Sequence, residues 1–270
     1  MSIDTFEILF SGFGYAFIWM TFLWLLHFIL KNAAIIDVGW PICLFLYALV
    51  YATKTTDISI AETILLFVVG LWAIRLSTYL FIDRIYKKPE EGRYTHLREV
   101  WKTNVGIKFF FFYHAQTILN VFLSIPFLLI SLERNHSDWF LMIGAIVSVL
   151  GIAGETLADL QLKFFKANPI NKGMICRQGL WNYSRHPNYF FEFVYWLGIA
   201  CMGQSAAFGA LSWAAPALIL GTLFKVTGIP ATEAHALKSR GEAYKQYMRE
   251  VSRFVPMPSK GNKKSNIREQ

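Results

Sequence analysis

The chain has 270 residues and a net charge of +8, and 55% of its residues are hydrophobic while only 16% are charged. A soluble domain carries about 25% charged residues, so this composition excludes an ordinary water-soluble protein. Excess basic residues are expected in the cytoplasmic loops of a membrane protein, so the charge does not indicate nucleic-acid binding.

Long hydrophobic runs predict an all-α, polytopic membrane protein with about seven transmembrane helices. The runs are longer than the roughly ten-residue strands of a membrane barrel, and most approach the roughly 20 residues that span a bilayer. The predicted spans are residues 7–30, 34–53, 59–82, 107–131, 139–158, 189–204 and 205–227. We predict a single membrane domain over 1–256, whose part from about 107 to 256 binds a cofactor, and a disordered basic tail over 257–270.

The distribution of Lys and Arg predicts the orientation. Residues 84–102 hold six of them, residues 163–185 hold five, and the segment after residue 227 holds nine. Seven spans place all three segments on one side, and basic loops face the cytoplasm. We therefore expect a cytoplasmic C-terminus, an external N-terminus and a location in the bacterial inner membrane.

Polar residues inside the predicted spans are candidate functional groups, because ionisable residues are costly in a bilayer. In span three, Arg75, Tyr79 and Asp83 are four residues apart and predict one polar helix face. In span two, Asp37 lies in an apolar setting, so we expect a neutral carboxylic acid that binds a carbonyl oxygen and supports an enolate. Gln116 lies within span four and is a second candidate for that role.

Two further segments predict a binding site for an anion. In span five, Asp159 and Lys163 lie on one helix face that Lys166 continues. In "SRHPNYFFE", Arg185 and His186 precede a proline that suits the start of a helix, where free backbone N–H groups attract phosphate. A helix is also expected at about 231–251. The sequence contains no glycine-rich nucleotide loop and no metal-binding spacing, so we predict no metal.

The stretches "GLWNYSRHPNYFFE", "ETLADLQLKFFK" and "SRGEAYKQYMREVSRFVP" resemble the C-terminal domain of the steroid 5-alpha-reductase family. With "IIDVGWP", "LWAIRLSTYLFIDRI" and "EEGRYTHLREVW", the chain resembles the bacterial DUF1295 branch of that family from about residue 35 to 256. The resemblance implies an oxidoreductase that uses NADPH to reduce a C=C bond conjugated to a carbonyl group in a lipophilic substrate.

The resemblance also implies roles for individual residues. The carbonyl-binding glutamate and tyrosine of the steroid reductases correspond here to Asp37 and Trp72, a departure that leaves the substrate open. The implied cofactor-binding residues are Arg75, Asp83, Arg84, Asp159, Lys163, Lys166, Tyr183, Asn188, Glu192, His235 and Arg240, beside Arg185 and His186 from the corner above.

Two alternatives remain open. "RHPNY" followed by an acid also resembles membrane methyltransferases of the isoprenylcysteine and phospholipid type, in which the same corner binds S-adenosylmethionine. The polar row of span three favours the reductase, because those methyltransferases are usually shorter and lack this N-terminal half. The other alternative is a non-catalytic membrane protein. The expected partners are a lipophilic small molecule and membrane lipid.

Overall fold

The computed structural model describes residues 5–55, 57–225 and 228–260. Within these ranges the chain is helical, and the one β-type pairing is an isolated bridge between Ser184 and Ser252. The helices are α1 Thr5–Leu30, α2 Ile35–Lys54, α3 Ile60–Leu80, α4 Gly92–Trp101, α5 Val105–Leu123, α6 Ile125–Leu132, α7 Asp138–Ala167, α8 Pro187–Gly203, α9 Ala214–Lys225 and α10 Ile229–Glu250. The prediction of an all-α protein is confirmed.

Five helical segments are long and apolar enough to cross a membrane, or six if the bent pair α5 and α6 forms one span. The bend between α5 and α6 is 42°, and Pro126 in the first turn of α6 suits a new helix start. Many large apolar side chains are exposed, including Ile29, Phe67 and Ile74. Lipid would cover such a surface, which is consistent with an integral membrane protein.

Several bounds differ from those expected. The predicted span 139–158 is part of the longer helix α7, which ends only at Ala167. The predicted span 205–227 instead contains a short 3₁₀ turn, Gly209–Trp213, followed by α9. Apolar composition alone does not show where a helix is interrupted. Of the predicted tail, residues 257–260 are described, and the rest lies outside the described residues.

The chain forms two compact units. The first contains Met1–Ala145 and Ala200–Ala215, and the second contains Ile146–Ile199 and Pro216–Gln270. In the first unit, α2 packs against α1 and α3. At the start of α3, Ser59 and Glu62 form a capping box in which each side chain binds the other residue's backbone N–H.

The loop before α4 is tied to the start of α2 through Glu90. Its carboxylate accepts hydrogen bonds from Arg98 Nε at 2.8 Å, from Arg98 Nη2 at 3.0 Å and from the Ala33 N–H at 2.7 Å. Burial alone would raise the pKa of Glu90, but the hydrogen bonds from Arg98 and Ala33 outweigh it and hold that pKa below its ordinary value.

In the second unit, α7 and α8 approach closely because glycines line their contact. A Cβ atom on Gly151 would lie 2.5 Å from the backbone nitrogen of Tyr195, so only glycine fits there. Ser148 Oγ donates a hydrogen bond to the Tyr195 carbonyl at 3.2 Å. Small residues that let two backbones meet are typical of helix pairs in membranes.

Candidate functional site

Asp37, in the first turn of α2, is the centre of an ion-pair cluster in the first unit. Its carboxylate accepts hydrogen bonds from Arg84 Nη1 at 2.5 Å, Arg93 Nη2 at 2.8 Å and the Tyr94 hydroxyl at 2.7 Å. Glu91 lies 3.2 Å from Arg84 Nη1. We call these five residues the Asp37 cluster.

Tyr94 is the fully buried member of the cluster. Burial, and after it the negative charge of Asp37, raises the pKa of the Tyr94 hydroxyl well above its ordinary value. The hydroxyl therefore keeps its proton at neutral pH and is a hydrogen-bond donor. Arg93 Nη2 also lies 2.9 Å from the Tyr94 oxygen, where its charge can stabilise a phenolate.

The expectation of a neutral Asp37, separate from the cofactor-binding residues, differs from this geometry. Two guanidinium groups bind the carboxyl group, so the protein's own cations occupy it. One of them belongs to Arg84, which was expected to bind the cofactor. Arg84 and Arg93 follow Asp37 by 47 and 56 residues, so the spacing along the chain did not predict that they meet.

Of the polar face predicted for α3, the structure shows the contact between Arg75 and Tyr79 but does not continue the face to Asp83. The Arg75 guanidinium lies 5.5 Å from the centre of the Tyr79 ring, a cation–π contact that agrees with their spacing. After Leu80 the chain forms a π-helical turn, Phe81–Ile85, which turns the next residues away from the α-helical register. Asp83 is consequently exposed, and Arg84 reaches Asp37.

The other two predicted catalytic residues lie on different helices. Trp72 is fully buried in α3, with its ring centre 5.7 Å from that of Trp40. Gln116 is half-buried in α5. Their catalytic roles stay predictions.

In the second unit, Arg185 and His186 are buried against Glu233 of α10. Arg185 Nε and Nη2 each lie 2.8 Å from Glu233 Oε1, and Arg185 Nη1 donates to the carbonyls of Met248 and Val251. This guanidinium is occupied by the protein itself. The expectation that Arg185 binds a phosphate directly therefore conflicts with the structure. Glu233 and the two carbonyl groups already bind the guanidinium where the phosphate would bind.

His186 is part of the same arrangement. Its Nε2 lies 3.3 Å from Glu233 Oε1, and its ring stacks on that of Tyr189 at 5.6 Å. Burial lowers the pKa of His186, and the contact with Glu233 only partly opposes this. The imidazole is thus neutral at neutral pH and supplies no positive charge to a ligand.

Polar side chains of α7 and α8 do meet in the second unit. Asn188 Nδ2 donates to Asp159 Oδ1 at 3.3 Å, and the carboxylate of Glu192 accepts the Trp196 indole N–H at 2.9 Å. Asp159 and Glu192 are buried. The Asn188–Asp159 bond joins α8 to α7, whereas the Trp196–Glu192 bond lies within α8.

The remaining predicted cofactor residues are accessible. Lys163, Lys166, Tyr183 and His235 are exposed, and Arg240 is half-buried. The Arg240 Nε atom is buried and has no hydrogen-bond partner among the described residues. A buried donor without an acceptor is costly, so this atom favours a ligand that supplies one.

The sequence interpretation missed Arg93, Tyr94 and Glu233. The stretch "EEGRY" contains the first two, and an arginine–tyrosine pair after two acids, at the membrane boundary, was a usable signal. No such signal pointed to Glu233, because it follows Arg185 by 48 residues and the apolar helices α8 and α9 lie between them. Among the described residues, no group of His, Cys, Asp and Glu is arranged to hold a metal ion.

Over the described residues, the fold and these sites are those of a helical chain with five or six candidate membrane-spanning helices and ionic clusters at helix ends. Residues 23–251 match the sequence model of the DUF1295 family, described as a protein of unknown function, and the chain belongs to this family.

Two curated proteins are similar to parts of this chain. A probable O-methyltransferase of Ustilaginoidea virens is 33% identical over 70 residues, which cover 26% of this chain and 25% of that protein. An uncharacterized protein of Schizosaccharomyces pombe is 26% identical over 271 aligned positions, covering 89% of this chain and 77% of that protein. The chain thus spans only a quarter of the first relative. No solved structure matches.

Proposed function

We propose that this protein is a membrane-embedded reductase that uses NADPH to reduce a C=C bond conjugated to a carbonyl group. The substrate would be lipophilic, of a steroid or isoprenoid type. The observation that carries the proposal is the buried Tyr94 hydroxyl, which donates to Asp37 at 2.7 Å and lies 2.9 Å from Arg93 Nη2. Reduction of an enone requires a proton donor, whereas methyl transfer to an anionic oxygen or sulfur requires none.

In this proposal the Asp37 cluster supplies the proton that completes the reduction. Tyr94 gives its proton to the α-carbon of the substrate, and Arg93 stabilises the phenolate that remains. Asp37 orients both groups and accepts the Tyr94 hydrogen bond between turnovers. Trp72 and Gln116 would hold the carbonyl oxygen as negative charge develops on it. When bound, NADPH supplies the hydride.

The second unit offers residues that fit such a cofactor. The unpartnered Nε of Arg240 would donate to an anionic oxygen, and Lys163 and Lys166 would add positive charge on the exposed end of α7. The amide of Asn188 and the carboxylate of Asp159 would bind hydroxyl or amide groups. Arg185 would position this corner through Glu233 and would not contact the cofactor.

The first test compares NADPH with S-adenosylmethionine as stabilising ligands of detergent-solubilised protein. At a hundredfold excess over its dissociation constant, NADPH should stabilise the fold by about 2.7 kcal/mol. Lys163→Ala should weaken the binding, while Lys172→Ala, which removes another exposed lysine of the same unit, should not. Stabilisation by S-adenosylmethionine alone would overturn the reductase proposal.

The second test removes the proton donor. Tyr94→Phe should lower the turnover of a model enone by about 10²–10⁴ and leave NADPH affinity unchanged. The matched control is Tyr86→Phe, because Tyr86 is an exposed tyrosine outside the cluster. Full turnover by the Tyr94 variant would remove this residue from the mechanism.

Methyl transfer is the second candidate function. It is favoured by the similarity to a relative whose name is probable O-methyltransferase, although that similarity covers 70 residues. The ligand comparison above separates the two candidates, because each reaction requires a different cofactor.

We also propose that the chain crosses the membrane seven times, with an external N-terminus and a cytoplasmic C-terminus. The additional span would be α8, whose 17 residues extend about 26 Å, slightly less than a bilayer core of about 30 Å. Single cysteines are placed in each loop of a cysteine-free variant, and a membrane-impermeant reagent is added outside the cell. Only the cysteines in external loops should react. Labelling of residues 87 and 172 from opposite sides would refute this topology. Cell fractionation tests the predicted bacterial inner membrane.

A further inference from the structure

A second, separate group of basic side chains surrounds a cavity at the end of α10. The cavity has a volume of about 330 Å³, and its basic lining residues are Arg185, Arg249, Arg253 and Lys260. We call it the C-terminal cavity. None of the residues expected to bind the cofactor lines it except Arg185, whose guanidinium is occupied by Glu233.

The charges around the C-terminal cavity are only partly compensated. Glu233 faces both Arg185 and Arg253, at 2.8 Å and 3.5 Å. Glu250, the acidic lining residue, is bound at 2.5 Å by Arg177, which does not line the cavity. Arg249 and Lys260 form no ion pair with any described residue. Glu242 acts on Arg249 only from beyond ion-pair distance, so an anion in the cavity would meet two cations that no carboxylate binds directly.

The wall of the C-terminal cavity is held in place by backbone hydrogen bonds. The Arg185 N–H donates to the Ser252 carbonyl at 2.8 Å, and Ser184 Oγ donates to the Phe254 carbonyl at 2.7 Å. The N–H groups of Met257 and Lys260 bind the carbonyls of Tyr183 and Glu250, each at 2.9 Å. The basic side chains thus project from a fixed frame, which lowers the cost of ordering them around a ligand.

Size and surroundings indicate the source of the anion. A volume of about 330 Å³ is at the lower end of ligand pockets, so a headgroup fits better than a whole dinucleotide. Met257 lines the cavity and is 54% exposed, and Val255, two residues earlier along the chain, is 45% exposed. A free phosphate ion gains nothing from apolar neighbours, whereas a lipid can bury its first acyl carbons against them.

We propose that the C-terminal cavity binds the phosphate headgroup of an anionic membrane lipid. Arg249 and Lys260 contact the phosphate, and Val255 and Met257 contact the adjoining chains. The proposal uses no residue that the reductase mechanism requires, so either can fail without the other.

The experiment measures lipid binding to delipidated full-length protein by native mass spectrometry. The probes are dioleoylphosphatidylglycerol, dioleoylphosphatidylcholine and inorganic phosphate. The test variant is Arg249→Ser with Lys260→Ser, and the control is Lys238→Ser with Lys245→Ser, which removes two exposed lysines of α10 outside the cavity. Both variants have the same net charge.

We expect phosphatidylglycerol to bind the test variant about thirtyfold more weakly than the parent, as two basic residues at an anionic surface imply. The control should bind it within about twofold of the parent, and phosphatidylcholine should bind the parent more weakly than phosphatidylglycerol. Equal weakening in both variants would show only a general charge effect and overturn the proposal. Inorganic phosphate that displaces the lipid at equal concentration would identify a free anion as the ligand and overturn the lipid assignment.

Discussion

The contact between α7 and α8 makes Gly151→Ala a sharp test of the second unit. The new Cβ would lie 2.5 Å from the nitrogen and 2.8 Å from the Cα of Tyr195, whereas ordinary contacts begin at 3.4 Å. These are backbone atoms, so the helices must separate by about 1 Å. Such overpacking costs about 1–3 kcal/mol, and the contact suggests the upper end. Replacing glycine by alanine in a helix returns about 1 kcal/mol, which leaves a net loss of about 2 kcal/mol.

This loss corresponds to a decrease in Tm of about 4–8 °C for a protein of this size. The assay is thermal unfolding of detergent-solubilised protein, followed by the intrinsic fluorescence of its tryptophans. Gly221→Ala in α9 is the control, because nothing lies within 4 Å of its added Cβ, and it should raise Tm by about 2 °C. If Gly151→Ala is as stable as the Gly221 variant, the close approach of α7 and α8 is wrong, and with it the pairing of Asp159 with Asn188.

Three further predictions concern the ionic contacts. Asp37→Asn should destabilise the protein by about 2 kcal/mol. This is less than the cost of breaking a fully buried pair, because Glu91 remains close to Arg84 and Arg93 as a counter-charge. A variant as thermally stable as the parent would contradict the contacts described for the Asp37 cluster. Glu233→Ala should cost about 3–5 kcal/mol by leaving Arg185 buried without a counter-charge, and Arg185→Met in the same chain should recover part of the loss in a double-mutant cycle. The pKa of Glu90 is lowered in the folded protein, so this residue stabilises the fold above its unfolded pKa of about 4.5. That stabilisation is lost as the pH falls through the folded pKa. Glu90→Gln should therefore flatten the dependence of Tm on pH below about pH 4.5.

The helices of this fold could be predicted from the sequence because apolar composition over about 20 residues is a local property. The shared face of Asp159 and Lys163 on α7 was also accessible, since regular helical spacing places each residue on a known face, but the spacing did not show that Asn188 of α8 meets it. The interruptions of these helices could not be predicted, because the π-helical turn after Leu80 and the 3₁₀ turn at Gly209 depend on packing.

The ion pairs show the same limit more strongly. Arg185 was correctly singled out as an unusual polar residue, but its partner Glu233 belongs to a helix 48 residues later. An arginine in an apolar segment can bind a ligand or an internal acid, and only the tertiary structure distinguishes these. Asp37 illustrates the same ambiguity, because the two arginines that surround it follow by 47 and 56 residues.

The π-helical turn Phe81–Ile85 has an evolutionary consequence. Such a turn accommodates one more residue than the α-helix that it interrupts, and each residue of an α-helix rotates the next by about 100°. A relative that lacks the additional residue would direct its equivalent of Arg84 about a quarter turn away from Asp37. The insertion and the acid at position 37 are therefore expected to have been gained together, and an alignment of the family should show a one-residue gap at 81–85 in members without that acid.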